Sequence, residues 1–363
     1  MKKIRRFCIL FVAASSVFLG QVAFACSTFV LHDNVNTIYA HHLDERSAID
    51  ALLVINKRGA ERTGVTWNQL ITGKKDNTFS WIAKWGSITV NLWGLGLPDG
   101  GMNEKGLYIQ EMSLVASKAP IENRQAIYAS SWIQHALDTY ETVDQVIAST
   151  QQFSVDGMEW HYLVADARGR KAAIEFIDGK AVIHANQEMP VPLMCNDAYA
   201  KELELFKSLK PQIQASQVED RFSKGALTYS NSTKDGATYD RAVQILGSLR
   251  QPGTQLTYVF DVNKKQLHYN TSVNTEWKIF NWKTIKFDKG PTLVWDIHEP
   301  DKTQWLKPAT AETQKIIASK AVTKFQEWVG AERLNTYLAS VGGSTSILQE
   351  QLSATTHWSK IQQ

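Results

Sequence analysis

The residue best equipped to do chemistry unaided is Cys26. It follows Gln21-Val-Ala-Phe-Ala, with Ala23 and Ala25 at −3 and −1. Ahead of these stand a basic start, Met1-Lys-Lys-Ile-Arg-Arg, and the apolar run from Phe7 to Gly20. A basic start, an apolar run too short for a membrane span of about 20 residues and a small-x-small ending make the layout of a secretory signal peptide. Cutting after Ala25 would leave Cys26 first. A thiol at a free N-terminus is a nucleophile that carries its own base: Sγ attacks an amide carbonyl and the α-amino group takes the proton. An α-amine has a reference pKa of about 7.7–8.0, close to a working pH, where a lysine amine does not. A cysteine just past a cut also suits a lipoprotein, whose cysteine is acylated, although Ala23 stands where such signals favour leucine. It also suits a residue that is merely small. Position alone leaves all three readings open.

The body of the chain narrows the classes. Its 363 residues and 40.8 kDa allow one large domain or two ordinary ones. Hydrophobic residues at 44% and charged residues at 21% are the balance of a globular protein and exclude a disordered chain, a collagen-like fibre and a multi-span membrane protein. The formal net charge is +3, and Lys2, Lys3, Arg5 and Arg6 of the leader account for all of it, leaving a near-neutral body. Such a body gives no electrostatic case for nucleic acid or an anionic membrane as partner. Of three cysteines, Cys8 leaves with the leader; Cys26 and Cys195 could pair in an exported protein, but two cysteines are no scaffold. No CxxC or His/Cys cluster suggests zinc.

The elements that must position Cys26 are mainly strands as far as about residue 290. Cys26-Ser-Thr-Phe-Val-Leu, Thr37-Ile-Tyr-Ala-His-His and Ala51-Leu-Leu-Val-Ile-Asn read as strands, and apolar residues alternate from Ile88 to Leu92. Gly101-Met-Asn-Glu-Lys-Gly reads as a polar turn feeding a further strand. Helices are expected from Ala126 to Tyr140 and from Thr142, a plausible N-cap, to Thr150. Strands return at His161-Tyr-Leu-Val-Ala and Lys171-Ala-Ala-Ile-Glu-Phe-Ile, with Asp178-Gly179 as a tight hairpin, and another ends at Pro192-Leu-Met-Cys-Asn. Helices fill 197–208, 219–230 and 238–249, and a hairpin turns at Asn263-Lys-Lys. From Pro308 the composition becomes helical: Ile317, Ala321, Phe325 and Trp328 share one face, with a break at Gly342-Gly343. The class is α+β, divided as a leader 1–25, a main domain 26–307 and a helical extension 308–363.

Cys26-Ser-Thr-Phe-Val-Leu, Gly101-Met-Asn-Glu-Lys-Gly-Leu and the His161 strand with its hairpin stand in an order that resembles the choloylglycine hydrolase/penicillin V acylase family of linear amide C–N hydrolases. The resemblance covers roughly residues 26–285. It implies the αββα fold of N-terminal nucleophile hydrolases, two antiparallel sheets between helical layers. It also implies site residues: Cys26 as nucleophile, Asp44 near its amine, the Asn196 side chain as an oxyanion donor and Arg221 close to the thiol. Ser113 stands where the family gives a second donor from the backbone and many members have asparagine. Bile salt and penicillin members carry Arg-x-x-Asp where this chain has His41-His-Leu-Asp, so His41 takes the arginine's place.

Elementary chemistry fits these roles. A thiol attacking an amide builds charge on the carbonyl oxygen, where each fixed donor is worth roughly 2.7–4 kcal/mol. Arg221 would favour thiolate and Asp44 would orient the amine; Arg241 is a second arginine to weigh. His161, on an apolar strand, reads as a hydrogen-bonded core residue and Asn103-Glu-Lys-Gly as a structural turn. The expected function is an exported, periplasmic or secreted, cysteine hydrolase of linear amides that needs no metal or organic cofactor. Its partner is a small-molecule amide, with no nucleic acid and no membrane span after the leader is lost; a homo-oligomer stays open. Acyl transfer on the same scaffold and a lipid-anchored or non-catalytic envelope protein are the rivals.

Overall fold

The computed structural model describes residues 26–76, 78–118, 124–298 and 306–354. The leader and Cys8 lie outside the described residues. The first strands are β1 (Ser27–His32), β2 (Thr37–Asp44), β3 (Leu52–Asn56) and β4 (Glu61–Thr63), then helix α1 (Trp67–Thr72) and strands β5 (Ser80–Ile82), β6 (Ser87–Asn91), β7 (Gly100–Asn103) and β8 (Tyr108–Ser113). Strand β9 (Gln125–Tyr128) leads into α2 (Ala129–Thr139) and α3 (Val143–Ser149), followed by β10 (Phe153–Asp156), β11 (Trp160–Ala165), β12 (Lys171–Ile177), β13 (Lys180–Ala185) and β14 (Leu193–Met194). Three helices come next, α4 (Tyr199–Lys207), α5 (Arg221–Asn231) and α6 (Tyr239–Leu249), then β15 (Thr254–Asp261), β16 (Gln266–Thr271), β17 (Lys278–Asn281), β18 (Leu293–Asp296) and β19 (Lys307–Pro308). The chain closes with α7 (Ala311–Val329), α8 (Ala331–Ser340) and α9 (Thr345–Ala354).

Two antiparallel sheets carry the fold. The first has six strands in the order β14-β1-β2-β15-β16-β17; the second has nine, β13-β12-β11-β8-β7-β6-β3-β18-β19. Strand β1 lies against β8 and β11 of the second sheet; α6 packs on β2 and α5 on β14, while α2 covers β7 and β8 and α3 covers β11 and β12. The layers are therefore helix, sheet, sheet, helix. Every position of β2 is buried, because one face meets the second sheet and the other meets α6. That two-sided burial explains why its apolar and polar residues do not alternate. Tyr39 and Tyr108 stack between the sheets at 4.6 Å.

Local chemistry sets the boundaries. Thr142 caps α3 in a reciprocal box with Gln145, and Asp220 caps α5 by accepting from the Ser223 N–H at 2.7 Å. The Asp178-Gly179 turn has φ of 49° and 73°, the left-handed pair a two-residue hairpin requires. Four expectations need correction. Residues 126–128 belong to β9, paired in parallel with β10, so the first long helix starts at Ala129. Gly101, Met102 and Asn103 are already strand, paired with β6 and β8, and the turn follows them. Strands β18 and β19 extend the nine-stranded sheet beyond residue 290. The C-terminal helix breaks first at Gly330, whose φ of 86° an L-residue rarely adopts.

Candidate active site

Register brings the site together. In β1, Thr28 pairs with Met194 of β14 and Ser27 with His42 of β2; in β15, Thr254 pairs with Asp44. Continuing the antiparallel register two residues past the Thr28–Met194 pair sets Cys26 opposite Asn196 and beside the end of β2. Cys26, Asn196, Asp44 and Thr254 thus occupy one end of four neighbouring strands, although they are scattered over more than two hundred residues.

A chain of hydrogen bonds runs along that end. Thr254 donates from Oγ1 to Asp44 Oδ1 at 2.6 Å, and Arg221 Nη1 lies 3.3 Å from Asp44 Oδ2. Arg221 Nη2 donates to Asn196 Oδ1 at 2.6 Å, and Asn196 Nδ2 donates to the Ser113 carbonyl at 2.8 Å. Arg221 is the first residue of α5, so the Asp220 cap that starts the helix also fixes where the guanidinium departs. Ser113 ends β8. Its neighbour Leu114 donates to Glu159 of the strand beyond, so the N–H and C=O of Ser113 face the other way, toward Asn196. The Ser113 backbone groups and the Asn196 amide therefore meet at the strand ends, where the register also sets Cys26.

The backbone around Asn196 is clamped. His161 Nε2 donates to the Cys195 carbonyl at 2.8 Å, with Nδ1 3.0 Å from Glu175. Glu202 accepts from the N–H groups of Cys195 and Asp197, each at 3.3 Å. His161 is a buried, hydrogen-bonded core residue, as expected, and its work is to hold this strand end. Asn103 is structural too: it donates to the carbonyls of Leu137 and Tyr140 and accepts from the N–H groups of Lys105 and Leu107.

Burial dominates the electrostatics. It pushes the Cys26 thiol well above its ordinary value, and Glu111, Asp44 and Glu45 add to that, while a hydrogen bond from the Asp44 backbone works the other way. Asp44 is raised to about 6 by burial, opposed by Thr254 and Arg221. Cys26 and Cys195 are both free thiols, and Cys195 Sγ rests 3.7 Å from Ser27 Oγ.

His41 is outside this hydrogen-bonded chain. Three residues before Asp44, it lies on the opposite face of β2, buried between the sheets opposite Thr28, the face that Cys26 shares by alternation. Its ring packs on Tyr258 at 5.1 Å, and its Nε2 is 3.4 Å from Gln110 Nε2. Burial drives its pKa well below the ordinary value, so its ring is neutral at the position that takes the arginine's place. His42 turns to the helical layer, against Thr257 and the Leu246 carbonyl. The cation at the site is Arg221. Arg241, the other arginine weighed, is spent on Ser232 and on the carbonyls of Gly236 and Tyr229. Thr254, Glu202 and Glu45 had no signal in the sequence; each acts through a partner distant along the chain or through backbone.

The sequence model of linear amide C–N hydrolases, choloylglycine hydrolase family, matches residues 26–234. The chain belongs to this family. The match starts at Cys26 and includes every residue of the hydrogen-bonded chain except Thr254. Penicillin V acylase of Pectobacterium atrosepticum is 29% identical over 194 residues, covering 47% of this chain and 50% of that protein. The chain thus spans about half the length of that curated relative. Among solved structures, penicillin V acylase from Agrobacterium tumefaciens superposes with a TM-score of 0.67 at 21% identity, over 78% of this chain and 98% of that one. A variant of conjugated bile acid hydrolase from Clostridium perfringens gives 0.62 at 14% identity, over 77% and 99%. At such identities these two superpositions establish the fold, that of the N-terminal nucleophile hydrolases.

Proposed function

We propose that the protein is an exported amidase, active once its leader is removed before Cys26, that hydrolyses a non-peptide, linear amide C–N bond through a thioester. The observation that carries this reading is the chain Asp44–Arg221–Asn196–Ser113 ending beside Cys26. The α-amine of Cys26 takes the thiol proton as Sγ bonds to the carbonyl carbon. The oxygen that becomes negative is met by Asn196 Nδ2 and the Ser113 N–H. When the tetrahedral carbon collapses, the C–N bond breaks and the leaving nitrogen takes the proton from the α-ammonium. Water then attacks the thioester and gives a proton to the α-amine; the C–S bond breaks, sulfur recovers that proton, and the acid leaves. Each step uses groups of this chain and water. Membership of the family supports hydrolysis of linear amides; the thiol, the amine and the export route are the parts this reading adds.

The test uses purified protein that begins at Cys26, offered conjugated bile acids, penicillins, N-acyl homoserine lactones and simple acyl amides. Hydrolysis of one class is expected, with an acyl adduct on the Cys26 peptide after acid quenching, and Cys26→Ala should abolish both. Full turnover by a form that retains a residue before Cys26 would overturn the mechanism. Release of amine without acid whenever an acceptor amine is present would assign acyl transfer instead.

A further inference from the structure

The C-terminal extension reaches the end of the sheets that carries Asp44 and Ser113. The family model stops at residue 234. The two superposed hydrolases leave unmatched a share of this chain the size of the leader and the extension together. Strands β6 and β8 both run antiparallel to β7, so β6 ends at Asn91 on the same edge of its sheet as Ser113. Just past that end stands Trp93, whose Nε1 donates to Asp99 Oδ1 at 2.7 Å. Phe325 and Trp328 of α7 pack on Trp93 with ring centroids 4.6 and 4.8 Å away. Trp328 also donates from Nε1 to Glu45 Oε2 at 2.7 Å, and Glu45 is the residue that follows Asp44. One indole therefore spans the end of β6 in one sheet and the end of β2 in the other.

The end of β2 needs such a tie. Thr254 faces Asp44 and Leu256 faces Leu43, so Gln255 is an extra residue in β15 and the ladder bulges beside Asp44. A bulge leaves a residue unpaired and bends its strand, so regular pairing alone does not fix how Asp44 points. Glu45 supplies the missing hold. Its N–H donates to the Gly253 carbonyl at 2.7 Å, and its own carbonyl accepts from Gln255 Nε2 at 3.0 Å. Its side chain is buried and ends on Trp328. The other ties from α7 to this loop, Lys320 with Asp50 and Ser47 with Glu327 and Lys324, meet at the surface. Exposed contacts of that kind contribute little, which leaves the Trp328–Glu45 bond as the main one.

We propose that Trp328, contributed by the C-terminal extension, is a positioning residue of the active site: by pinning Glu45 against Trp93 it sets the end of β2 and with it the direction in which Asp44 meets Arg221. The inference deepens the reading of Cys26 and its neighbours as a catalytic centre and rests on it. Asp44 Oδ1 accepts from Thr254, Oδ2 meets Arg221, and Arg221 clamps the Asn196 amide. A shift of Glu45 is passed along that chain to the oxyanion donor. A misplacement of about 1 Å, begun far from the chemistry, costs up to about 10²-fold in rate. Trp328 acts only through Glu45, so its loss is read in kcat and not in KM.

The test has two arms on the form that begins at Cys26. In the first, hydrogen exchange read by mass spectrometry compares wild type with Trp328→Phe, which keeps a ring against Trp93 and removes the N–H donor. Amides of residues 40–46 should exchange about tenfold faster while those of α7 keep the wild-type rate. Glu45→Leu breaks the same bond from the other side, should give the same result, and serves as the second variant should Trp328→Phe fail to fold. In the second arm, steady-state kinetics on one hydrolysed amide should show kcat lowered about tenfold by either substitution with KM nearly unchanged. Glu45→Gln keeps an oxygen to accept from the indole and should retain most of kcat. Unchanged exchange at residues 40–46, a loss confined to KM, or Glu45→Gln as slow as Glu45→Leu overturns the role of Trp328. Faster exchange in the variants with no amide hydrolysed by wild type keeps the clamp and removes the amidase reading.

Discussion

The Arg221 guanidinium holds Asn196 by its oxygen, Nη2 donating to Oδ1 at 2.6 Å. Arginine has donors only, so this contact fixes which end of the amide is which. Nδ2 then faces the Ser113 carbonyl and the start of β1, with one N–H left for a reacting carbonyl oxygen. Arg221 thus makes two contacts at the site, pairing with Asp44 and clamping the Asn196 amide.

Asn196→Ala should lower kcat by about 10²–10³-fold with a small change in KM, since an oxyanion donor works mainly in the transition state. Arg221→Lys should behave similarly but more mildly, because a single ammonium cannot bridge Asp44 and Asn196 in the way a planar fork does. Steady-state kinetics on one hydrolysed amide checks both. A change confined to KM would remove Asn196 from the oxyanion hole.

Asp44 sets the acid side of the pH profile. Burial raises it to about 6, so below that pH it is protonated and loses acceptor capacity toward Arg221. The reference pKa of an α-amine is higher, about 7.7–8.0. Plotted as log kcat/KM, the profile should rise with a slope of about one below the amine pKa and about two below pH 6. Asp44→Asn should keep the first limb and lose the second.

Stability should run against the usual acid trend. Burial raises Asp44 to about 6 and Glu45 to about 7, and raises Asp99 and Glu111 as well. Between about pH 4 and 8 the folded chain therefore binds more protons at these sites than the unfolded chain, whose carboxylates titrate near 4. Their contribution is complete below the unfolded values and is lost as pH rises through the folded ones. Thermal melts should show Tm falling from pH 5 to pH 8, and Glu111→Gln should flatten that slope. A melting temperature that climbs over this range in wild type and variant alike would contradict it.

Glu202 is a positioning residue. Its two oxygens take the N–H groups on either side of Asn196. Glu202→Gln keeps one acceptor and turns an NH2 toward the other N–H, so kcat should fall by about tenfold with KM nearly unchanged. Thiol labelling of Cys26 at the wild-type rate would show that the nucleophile is undisturbed and the loss lies in the oxyanion hole.

Cys26, Asp44, Asn196 and Arg221 were legible in the sequence because each sits in a short motif that carries its own order, and the structure brings all four to one end of the six-stranded sheet. His41 was read from spacing alone. Three residues before Asp44 on a strand, it faces the other side of β2, between the sheets and opposite Thr28 of β1, so it stands apart from the Asp44–Arg221 pair. The Thr254–Asp44 and Trp328–Glu45 contacts join residues 210 and 283 positions apart, and no local pattern predicts such pairs. The apolar face of α7 announced a helix, but its register could not say that Phe325 and Trp328 would meet Trp93. The helix start drawn at Ala126 failed because Ile127 serves as well in a strand as in a helix, and pairing with β10 decided it.

Most chain ends fray, but β1 begins at Ser27 with β14 on one side and β2 on the other. A terminus produced by cutting before Cys26 would be born inside a sheet, with no slack behind it. Exopeptidases need several residues of loose chain to draw into their own clefts, and here the first bond lies beneath two neighbouring strands. The mature end should therefore resist trimming for as long as the sheet holds. The enzyme's first residue would then be protected by the same ladder that aims it.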